Sequence, residues 1–329
     1  MFTLKPQKDY SLIDAGEGLK LERYGEYVIQ RPDPQALWPK KTKWTDVDAV
    51  FSKNNTSDNR GVSQAGSDDS ETGNWVKTRS IPERWPITFV MGDDLPNLKI
   101  YARLTPFKHT GIFPEQFSNW KWSMEIIKKA LSGAREMGKG DNKHAEKFTQ
   151  ENPPKILNLF GYSGGATVAC LLAGAHVTHV DSSKGAMNWA NENAVLAEVS
   201  DKPVRWILED AVSFVKKEIR RGNKYDGIIL DPPAFGRGAK GEVWKIERDF
   251  LPFLELVYQL LKDDALFLIV NGYAAGYSSI AYAQNLNILV DKMGGEVEHG
   301  ELCLEAEPSS NKKELILPCG IVARWKGII

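Results

Sequence analysis

Short apolar runs alternate strictly with longer amphipathic segments between residues 155 and 293, and this alternation is the strongest constraint on the fold. The runs predict strands at 155–160, 175–180, 204–208, 225–230 and 266–270, and the segments that follow them predict helices at 165–174, 184–199, 211–221, 243–261 and 280–293. Strands that alternate with helices imply a parallel, doubly wound sheet. The last two runs, 296–304 and 314–325, have no helix between them, which predicts an antiparallel hairpin on one edge.

The first 105 residues have a different pattern. Short apolar runs separated by turn residues at 9–30, 87–91 and 98–104 predict a small, mostly β domain, which is a candidate for substrate binding. The Ser-, Asn-, Asp- and Gly-rich stretch 51–74 predicts a long mobile surface loop. An apolar stripe that starts at Phe117 predicts the first helix of a second domain, residues 106–329. The opposite side of this helix is rich in Lys, which indicates a face exposed to solvent.

Composition excludes several classes of protein. The 329 residues carry a formal net charge of −1, so the chain does not coat nucleic acid by overall charge, although a local basic patch is allowed. Three scattered cysteines and five scattered histidines indicate reduced thiols and neither a disulfide framework nor a metal site. The chain has no apolar run of about 18 residues and no signal peptide, so we expect a cytoplasmic protein outside the membrane.

A glycine-rich turn joins the first strand of the alternating region to its helix. It runs Asn158-Leu159-Phe160-Gly161-Tyr162-Ser163-Gly164-Gly165. Glycines let a ligand approach the backbone, and a helix N-terminus offers free N–H groups. Tight packing of strand against helix explains the same glycines equally well. The spacing does not match the dinucleotide-binding motif, which makes a nicotinamide enzyme a poor interpretation.

Two carboxylates follow the next two strands. Asp181 lies twenty residues after Gly161, where a carboxylate accepts hydrogen bonds from a ribose diol. Asp210 follows the third strand, where it could meet the exocyclic amine of an adenine. Both residues also precede predicted helices, so N-capping is an alternative role for each.

The most telling motif closes the fourth strand: Asp231-Pro232-Pro233-Ala234-Phe235. The two prolines lock the backbone and remove two donors, which leaves carbonyl acceptors suited to holding an amine of a flat substrate. Phe235 offers a face on which a base could stack. The loop 236–241 that follows has two cations among its glycines and precedes Trp244; it is either a lid that gathers RNA phosphates or a solvated loop.

Together these motifs resemble the class I S-adenosylmethionine-dependent methyltransferases, and more narrowly the ribosomal RNA large-subunit methyltransferase family. The resemblance covers about residues 105–329 and rests on 110–116, 158–165, 181–183, 209–211 and 231–235. It implies an α/β, Rossmann-like fold with a seven-stranded sheet whose last strands are antiparallel. By the resemblance, the residues that bind S-adenosylmethionine are Gly111, Phe113, Gln116, Asn158, Phe160, Gly161, Tyr162, Ser163, Gly164, Gly165, Asp181, Ser182, Ser183, Asp210, Ala211 and Asp231.

The same resemblance makes Asp231, Pro232, Pro233 and Phe235 the catalytic residues. Within it, residues 161–165 hold the methionine part of the cofactor, Asp181 the ribose, and Asp210 with Ala211 the adenine. Relatives that make 5-methylcytosine carry a cysteine after strand five, where this chain reads Val270-Asn271-Gly272-Tyr273. Thiolate addition to a ring carbon is therefore disfavoured.

Three functional hypotheses follow. The first is methylation of a base in ribosomal or other structured RNA, which requires the base to leave its stack. The second is methylation of a protein or small molecule, with the β domain shaping the pocket. The third is a non-catalytic module that binds S-adenosylmethionine or RNA. Nothing in the sequence indicates an oligomeric state.

Overall fold

The computed structural model describes residues 1–53, 72–132, 147–237, 243–273, 276–308 and 314–328. In these ranges the strands are β1 (Phe2–Leu4), β2 (Tyr10–Gly16), β3 (Leu19–Tyr24), β4 (Tyr27–Pro32), β5 (Ala49–Lys53), β6 (Gly73–Lys77), β7 (Trp85–Phe89), β8 (Leu98–Ala102), β9 (Lys155–Leu159), β10 (His176–Asp181), β11 (Val204–Leu208), β12 (Gly227–Leu230), β13 (Phe235–Arg237), β14 (Val243–Lys245), β15 (Phe267–Gly272), β16 (Glu296–Glu305) and β17 (Ile316–Lys326). The helices are α1 (Phe117–Ser132), α2 (Gly165–Leu172), α3 (Lys184–Leu196), α4 (Ala211–Arg220), α5 (Ile246–Tyr258) and α6 (Ser279–Met293).

The main sheet has eight strands in the order β1-β16-β17-β15-β12-β9-β10-β11. Every strand in it runs in the same direction except β17, which is antiparallel to both of its neighbours. The chain winds from β9 outward to β10 and β11 and then crosses back to β12 on the other side of β9. The strand order therefore reverses between β9 and β12, and ligands in such sheets bind at the carboxyl ends of the strands at this point.

Both faces of the sheet are covered, so its strands are apolar on both sides. Ile156, Val177 and Ile269 belong to one buried cluster, which also includes residues of α1 and α2. Leu157, Val180 and their neighbours on the opposite face pack with α4, α5 and α6. This two-sided burial explains why the sequence shows continuous apolar runs and no polar alternation.

The N-terminal region forms a second sheet, in the order β2-β3-β4-β5-β6, and a separate hairpin of β7 and β8. Its pairs are antiparallel except β4 with β5. Buried residues of this region, among them Tyr10, Ile29 and Ile87, lie in the same hydrophobic cluster as α1 and one face of the main sheet. The two regions thus share one core, while the division at residue 105 stays a prediction.

The α/β fold with a mostly β N-terminal region is confirmed, and three details differ. The hairpin of β16 and β17 is not at the edge, because β1 adds an eighth strand parallel to β16; three residues are too short to signal a strand. The helix predicted at 243–261 begins only at Ile246, because Val243–Lys245 pairs with Phe235–Arg237. The ends of the loop predicted at 51–74 are the strands β5 and β6, and 54–71 lie outside the described residues.

Candidate active site

One rim of the main sheet collects the motifs that the sequence singled out. Asp231 follows β12, the glycine-rich turn 160–165 follows β9, Asp181 ends β10, and Asp210 lies two residues beyond β11. Because these strands are parallel neighbours, their carboxyl ends meet at one edge. The turn and Asp231 flank the point where the strand order reverses, so the sequence-predicted residues converge on the place where the fold favours a ligand.

The backbone of the glycine-rich turn is held in an uncommon conformation. Phe160 and Tyr162 have φ angles of 59° and 44°, and Gly164 has 82°. Non-glycine residues rarely adopt positive φ, and such strain concentrates at functional sites. The Asp181 carboxylate stabilises the turn, because it accepts hydrogen bonds from the Tyr162 N–H (2.8 Å) and the Ser183 N–H (2.8 Å).

Several glycines of the turn are also required by packing. A Cβ on Gly161 would lie 2.4 Å from the His179 ring, and one on Gly164 would lie 2.8 Å from the Ala190 Cβ. Tight packing of strand against helix therefore requires glycine at both positions, and it leaves room for a ligand-binding role of the same turn. Asn158 is buried and donates to the Thr167 hydroxyl of α2 at 2.9 Å, so its amide joins the end of β9 to this helix.

The segment 110–116 lies beside this rim, in contact with the glycine-rich turn. The Ser163 hydroxyl donates to the Gly111 carbonyl at 2.6 Å. The Phe113 ring lies between two others, 5.8 Å from Tyr162 of the turn and 5.9 Å from Tyr273 after β15. Edge-to-face and tilted aromatic pairs at such separations are favourable. Segment and turn are thereby fixed to each other beside Asp231.

Tyr273 joins this segment to the strand end. Its hydroxyl accepts a hydrogen bond from Gln116 Nε2 at 2.8 Å and donates to the Glu115 carboxylate. The Asn119 amide links Gln116 Oε1 (2.7 Å) to Asn271 Oδ1 (2.8 Å). A polar network, buried except at Tyr273, therefore connects the 3₁₀ turn Pro114–Gln116 and α1 with the end of β15.

Two carboxyl groups at this site have unusual proton affinities. Burial, and secondarily the charge of Glu115, raises the pKa of Asp231 to about 8. Burial also raises the pKa of Glu115, although Lys20 and Arg31 oppose the shift. Carboxyl groups whose pKa is strongly raised by desolvation and a like charge are candidates for functional groups when they lie in a cleft. Asp231 is thus protonated to a large extent at neutral pH.

The capping alternatives for Asp210 and its neighbours are realised in the structure. Asp210 Oδ1 accepts from the Ser213 N–H at 2.8 Å and caps α4, which begins at Ala211. The Ser183 hydroxyl accepts from the Ala186 N–H at 3.2 Å and caps α3, and Ser182 lies exposed before it. A carboxylate oxygen has more than one lone pair, so capping leaves acceptor capacity for a ligand.

The proline motif is built differently from the expectation in one respect. The Pro233 carbonyl accepts a hydrogen bond from the Trp244 indole at 2.7 Å and is not a free acceptor. The same contact fixes the β13–β14 hairpin, in which Phe235 pairs with Lys245. Trp244 also packs on Phe160, with ring centroids 5.7 Å apart. Residues 238–242 of the predicted RNA-gathering loop lie outside the described residues.

The N-terminal sheet contributes a buried ionic cluster behind the segment 110–116. Arg31 forms two hydrogen bonds with Glu22, at 2.5 and 2.9 Å, and Lys20 lies 3.1 Å from Asp33. Arg31 also donates to the Lys108 carbonyl at 3.4 Å. The cluster thus anchors the chain just before the segment. Sequence reasoning missed this cluster, Glu115 and Tyr273; the only signal was that Glu115 lies within the quoted 110–116 motif.

Three comparisons with known proteins bear on this site. A family model described as S-adenosylmethionine-dependent methyltransferase matches residues 135–281. The solved structure of an S-adenosylmethionine-dependent methyltransferase from Agrobacterium tumefaciens is 34% identical, has a TM-score of 0.80, and aligns over 98% of this chain and 93% of that chain. The chain belongs to the S-adenosylmethionine-dependent methyltransferases.

Two other similarities are more limited. The ribosomal RNA large subunit methyltransferase K/L of Shewanella sp. (strain MR-4) is 32% identical over 120 residues, which is 36% of this chain and 17% of the length of that relative. The fold is shared by a structure described as an S-adenosylmethionine-dependent methyltransferase from Streptococcus mutans. It is 16% identical, has a TM-score of 0.59, and aligns over 97% of this chain and 76% of that chain.

The rim of this methyltransferase fits its cofactor by the chemistry of its donors. S-adenosylmethionine is cationic and carries ribose hydroxyls. Asp181 and Asp210 supply acceptors at two strand ends, and Asp231 supplies a carboxyl group at a third, whose ionised form a nearby cation favours. Within the ranges the structure describes, we find no cluster of three or more His, Cys, Asp or Glu side chains that could hold a metal. In the same ranges, none of the helices combines the length and apolarity needed to span a membrane.

Proposed function

We propose that this chain transfers the methyl group of S-adenosylmethionine to a base of structured RNA, with ribosomal RNA as the first substrate to test. The observation that carries the proposal is the position of Asp231 and its two prolines, directly beside the strained turn that Asp181 holds. The name of the Shewanella relative supports ribosomal RNA as the target. A cytoplasmic location is part of the same proposal.

The residues divide the task as follows. The turn 161–165 would hold the methionine part of the cofactor, Asp181 the ribose, and Asp210 with Ala211 the adenine. S-adenosylmethionine supplies an electrophilic methyl group on a sulfonium leaving group. The protein then has mainly to align an acceptor with that group, so positioning dominates catalysis.

Asp231 and the Pro232 carbonyl would orient the acceptor. An amine acceptor donates hydrogen bonds to them, which directs its lone pair toward the methyl group. With a pKa of about 8, Asp231 is a better acceptor once it loses its proton. A cation bound nearby favours the ionised form of a carboxylate. We therefore expect cofactor binding to lower the pKa of Asp231 and to prepare it for the acceptor.

Phe235 is the proposed stacking residue for a base that has left its stack. Base–aromatic stacking contributes about 1–3 kcal/mol, against an unstacking cost of a few kcal/mol. Phe235→Ala should then lower turnover and leave cofactor affinity nearly unchanged. A matching loss of cofactor affinity would contradict this role.

The proposal is tested by transfer of labelled methyl groups into fractionated RNA, protein and metabolites from a strain that lacks the gene. Label in RNA that falls steeply with added salt supports the proposal, because phosphate contacts are salt-dependent. Label in protein or metabolites with little salt dependence would establish the second hypothesis instead. Cofactor binding without transfer to any fraction would support a non-catalytic module.

A further inference from the structure

A cavity of about 460 Å³ opens beside Tyr273. It is lined by the end of β15, the facing parts of β16 and β17, and Gln35 of the N-terminal region. Sites for small organic ligands commonly measure about 300–1,000 Å³. The cavity is therefore large enough for a nucleobase with part of its sugar.

Tyr273 is the boundary shared by the cavity and the proposed methyl-transfer site. Its hydroxyl contacts Gln116 and Glu115, and Asp231 is close enough for its charge to act on the phenol. Its ring packs over Gly320, where a Cβ would lie 2.9 Å from the ring. Cys319, next to Gly320, lines the cavity and also lies within electrostatic range of Glu115. A nucleotide in the cavity would thus lie next to the methyl-transfer site, on the other side of Tyr273.

The lining suits a flat heterocycle. Ile316 and Pro318 provide apolar surface, while the Gln35 amide and the Glu301 carboxylate provide polar groups that can bind the edge of a ring. Ligand pockets typically combine a mainly apolar lining with a few polar groups that fix orientation. The Gln35 side chain is supplied by the N-terminal region, so that region completes the cavity.

A basic segment leads away from Gln35. The Asp14 carboxylate accepts hydrogen bonds from the Lys41 N–H (3.0 Å), the Thr42 N–H (3.2 Å) and the Trp44 indole (2.9 Å), which fixes the fold of this segment. Lys40 Nζ lies 4.5 Å from the centre of the Trp44 ring and 3.4 Å from the exposed Glu17 carboxylate, a surface pair of the kind that contributes little to stability and that a phosphate can replace. Lys40 follows Gln35 by five residues and lies within about 18 Å of it along the chain. Cations beside aromatic rings are the combination that binds single-stranded nucleic acid.

We propose that the cavity receives the nucleotide next to the target base of an RNA strand, while Phe235 stacks on the target base itself, and that the segment Lys40–Trp44 holds phosphates of that strand; this rests on the RNA methylation proposed above. The assignment gives the N-terminal region a specific task, which is to hold the RNA strand that carries the target base. It also explains why Gln35 and the lysines belong to one rigidly held stretch of chain.

Two variants test the two parts of this proposal. Gln35→Trp fills the cavity from its exposed rim, and Gln259→Trp, at an exposed position on the C-terminal side of α5, is its control. The double variant Lys40→Ala/Lys43→Ala removes two charges from the segment Lys40–Trp44, and Lys202→Ala/Lys216→Ala removes two exposed lysines elsewhere. Each protein is assayed for its KM with ribosomal RNA from the deletion strain, its Kd for S-adenosylmethionine, and its melting temperature.

We expect Gln35→Trp to lower kcat/KM for RNA at least tenfold, with the Kd for S-adenosylmethionine within twofold of the wild type. The double lysine variant should weaken binding of a fluorescent single-stranded RNA decamer. It should also reduce the slope of log Kd against log salt by about 1.4, since each phosphate contact on a single strand contributes about 0.7.

The outcomes separate this inference from the proposed function. If the wild type methylates RNA and both variants match their controls, the cavity and the segment do not bind the RNA strand, and the proposed function stands. If the wild type binds S-adenosylmethionine and methylates only protein or metabolites, the proposed function fails and this assignment fails with it.

Discussion

Gln116 Nε2 donates a hydrogen bond of 2.8 Å to the Tyr273 hydroxyl, across 157 residues of sequence. The contact joins the segment that precedes α1 to the residue that follows β15. Tyr273 also contacts Glu115, whose charge raises the pKa of Asp231. The Tyr273 hydroxyl therefore helps to position Glu115 relative to Asp231. Tyr273 is therefore a positioning residue between the methyl-transfer site and the cavity beyond it.

Removal of this hydroxyl should slow catalysis without preventing cofactor binding. Tyr273→Phe leaves Gln116 and Glu115 without a shared partner, and unsatisfied buried groups cost about 1–3 kcal/mol. We expect kcat to fall about ten- to a hundredfold while the Kd for S-adenosylmethionine changes less than threefold. Tyr258→Phe is the control, because it loses a hydroxyl bond to the Asn285 carbonyl away from the site. Equal effects of the two variants on kcat would show that the role of Tyr273 is only structural.

The activity should rise with pH through the pKa of Asp231. If its carboxylate form orients the acceptor, kcat/KM increases as the proton leaves, with an inflection near 8 in the free enzyme. Glu115→Gln removes the neighbouring negative charge, which should shift the inflection to lower pH. Glu296→Gln, at an exposed position, should leave the profile unchanged. A profile that Glu115→Gln does not move would refute the coupling of these two carboxyl groups.

Stability should show the opposite dependence on pH. The pKa of Asp231 is raised from an ordinary value of 3.8 to about 8, so the native state binds more protons than the unfolded state between these values. Stability contributed by this group is therefore present below pH 4 and lost progressively up to about pH 8. Asp231→Asn should raise the melting temperature at pH 8 and leave it nearly unchanged at pH 4. Calorimetric scans that show no such divergence would contradict the raised pKa.

Gly111 should tolerate no side chain. Its φ is 78°, and a Cβ would lie 1.9 Å from the Trp189 ring. Gly18 has a similar φ of 74° with open space around it, so Gly18→Ala measures backbone strain alone. Overpacking typically costs a further 1–3 kcal/mol or so. Urea unfolding should find Gly111→Ala destabilised by about that much more than Gly18→Ala, and equal losses would rule out a tight contact with Trp189.

The sequence was sufficient for features that depend on local order. The alternation of strands and helices predicted that Asp181, Asp210 and Asp231 follow parallel strands, and parallel order alone brings such residues to one rim. The segment 110–116 could be placed at the site only through the family resemblance, because nothing local distinguishes it from a loop. Its position depends on contacts such as Ser163 with the Gly111 carbonyl.

The features that sequence reasoning missed depend on distant contacts. Glu115 and Tyr273 gain their importance only when β15 ends beside the 3₁₀ turn. The sequence predicts helix at Val243–Lys245, but these residues form a strand because they pair with Phe235–Arg237, and the local pattern does not show this pairing. The roles assigned to the individual site residues stay predictions, and binding experiments are the direct way to test them.

Calorimetric titration of S-adenosylmethionine into the purified chain tests the central claim most directly. We predict one site per chain, an affinity reduced at least tenfold by Asp181→Ala, and little change in Gln35→Trp or in the exposed control Asp201→Ala. The reason is that Asp181 both holds the strained turn, through the Tyr162 N–H, and faces the rim. No saturable binding, or binding that Asp181→Ala leaves intact, would contradict the account.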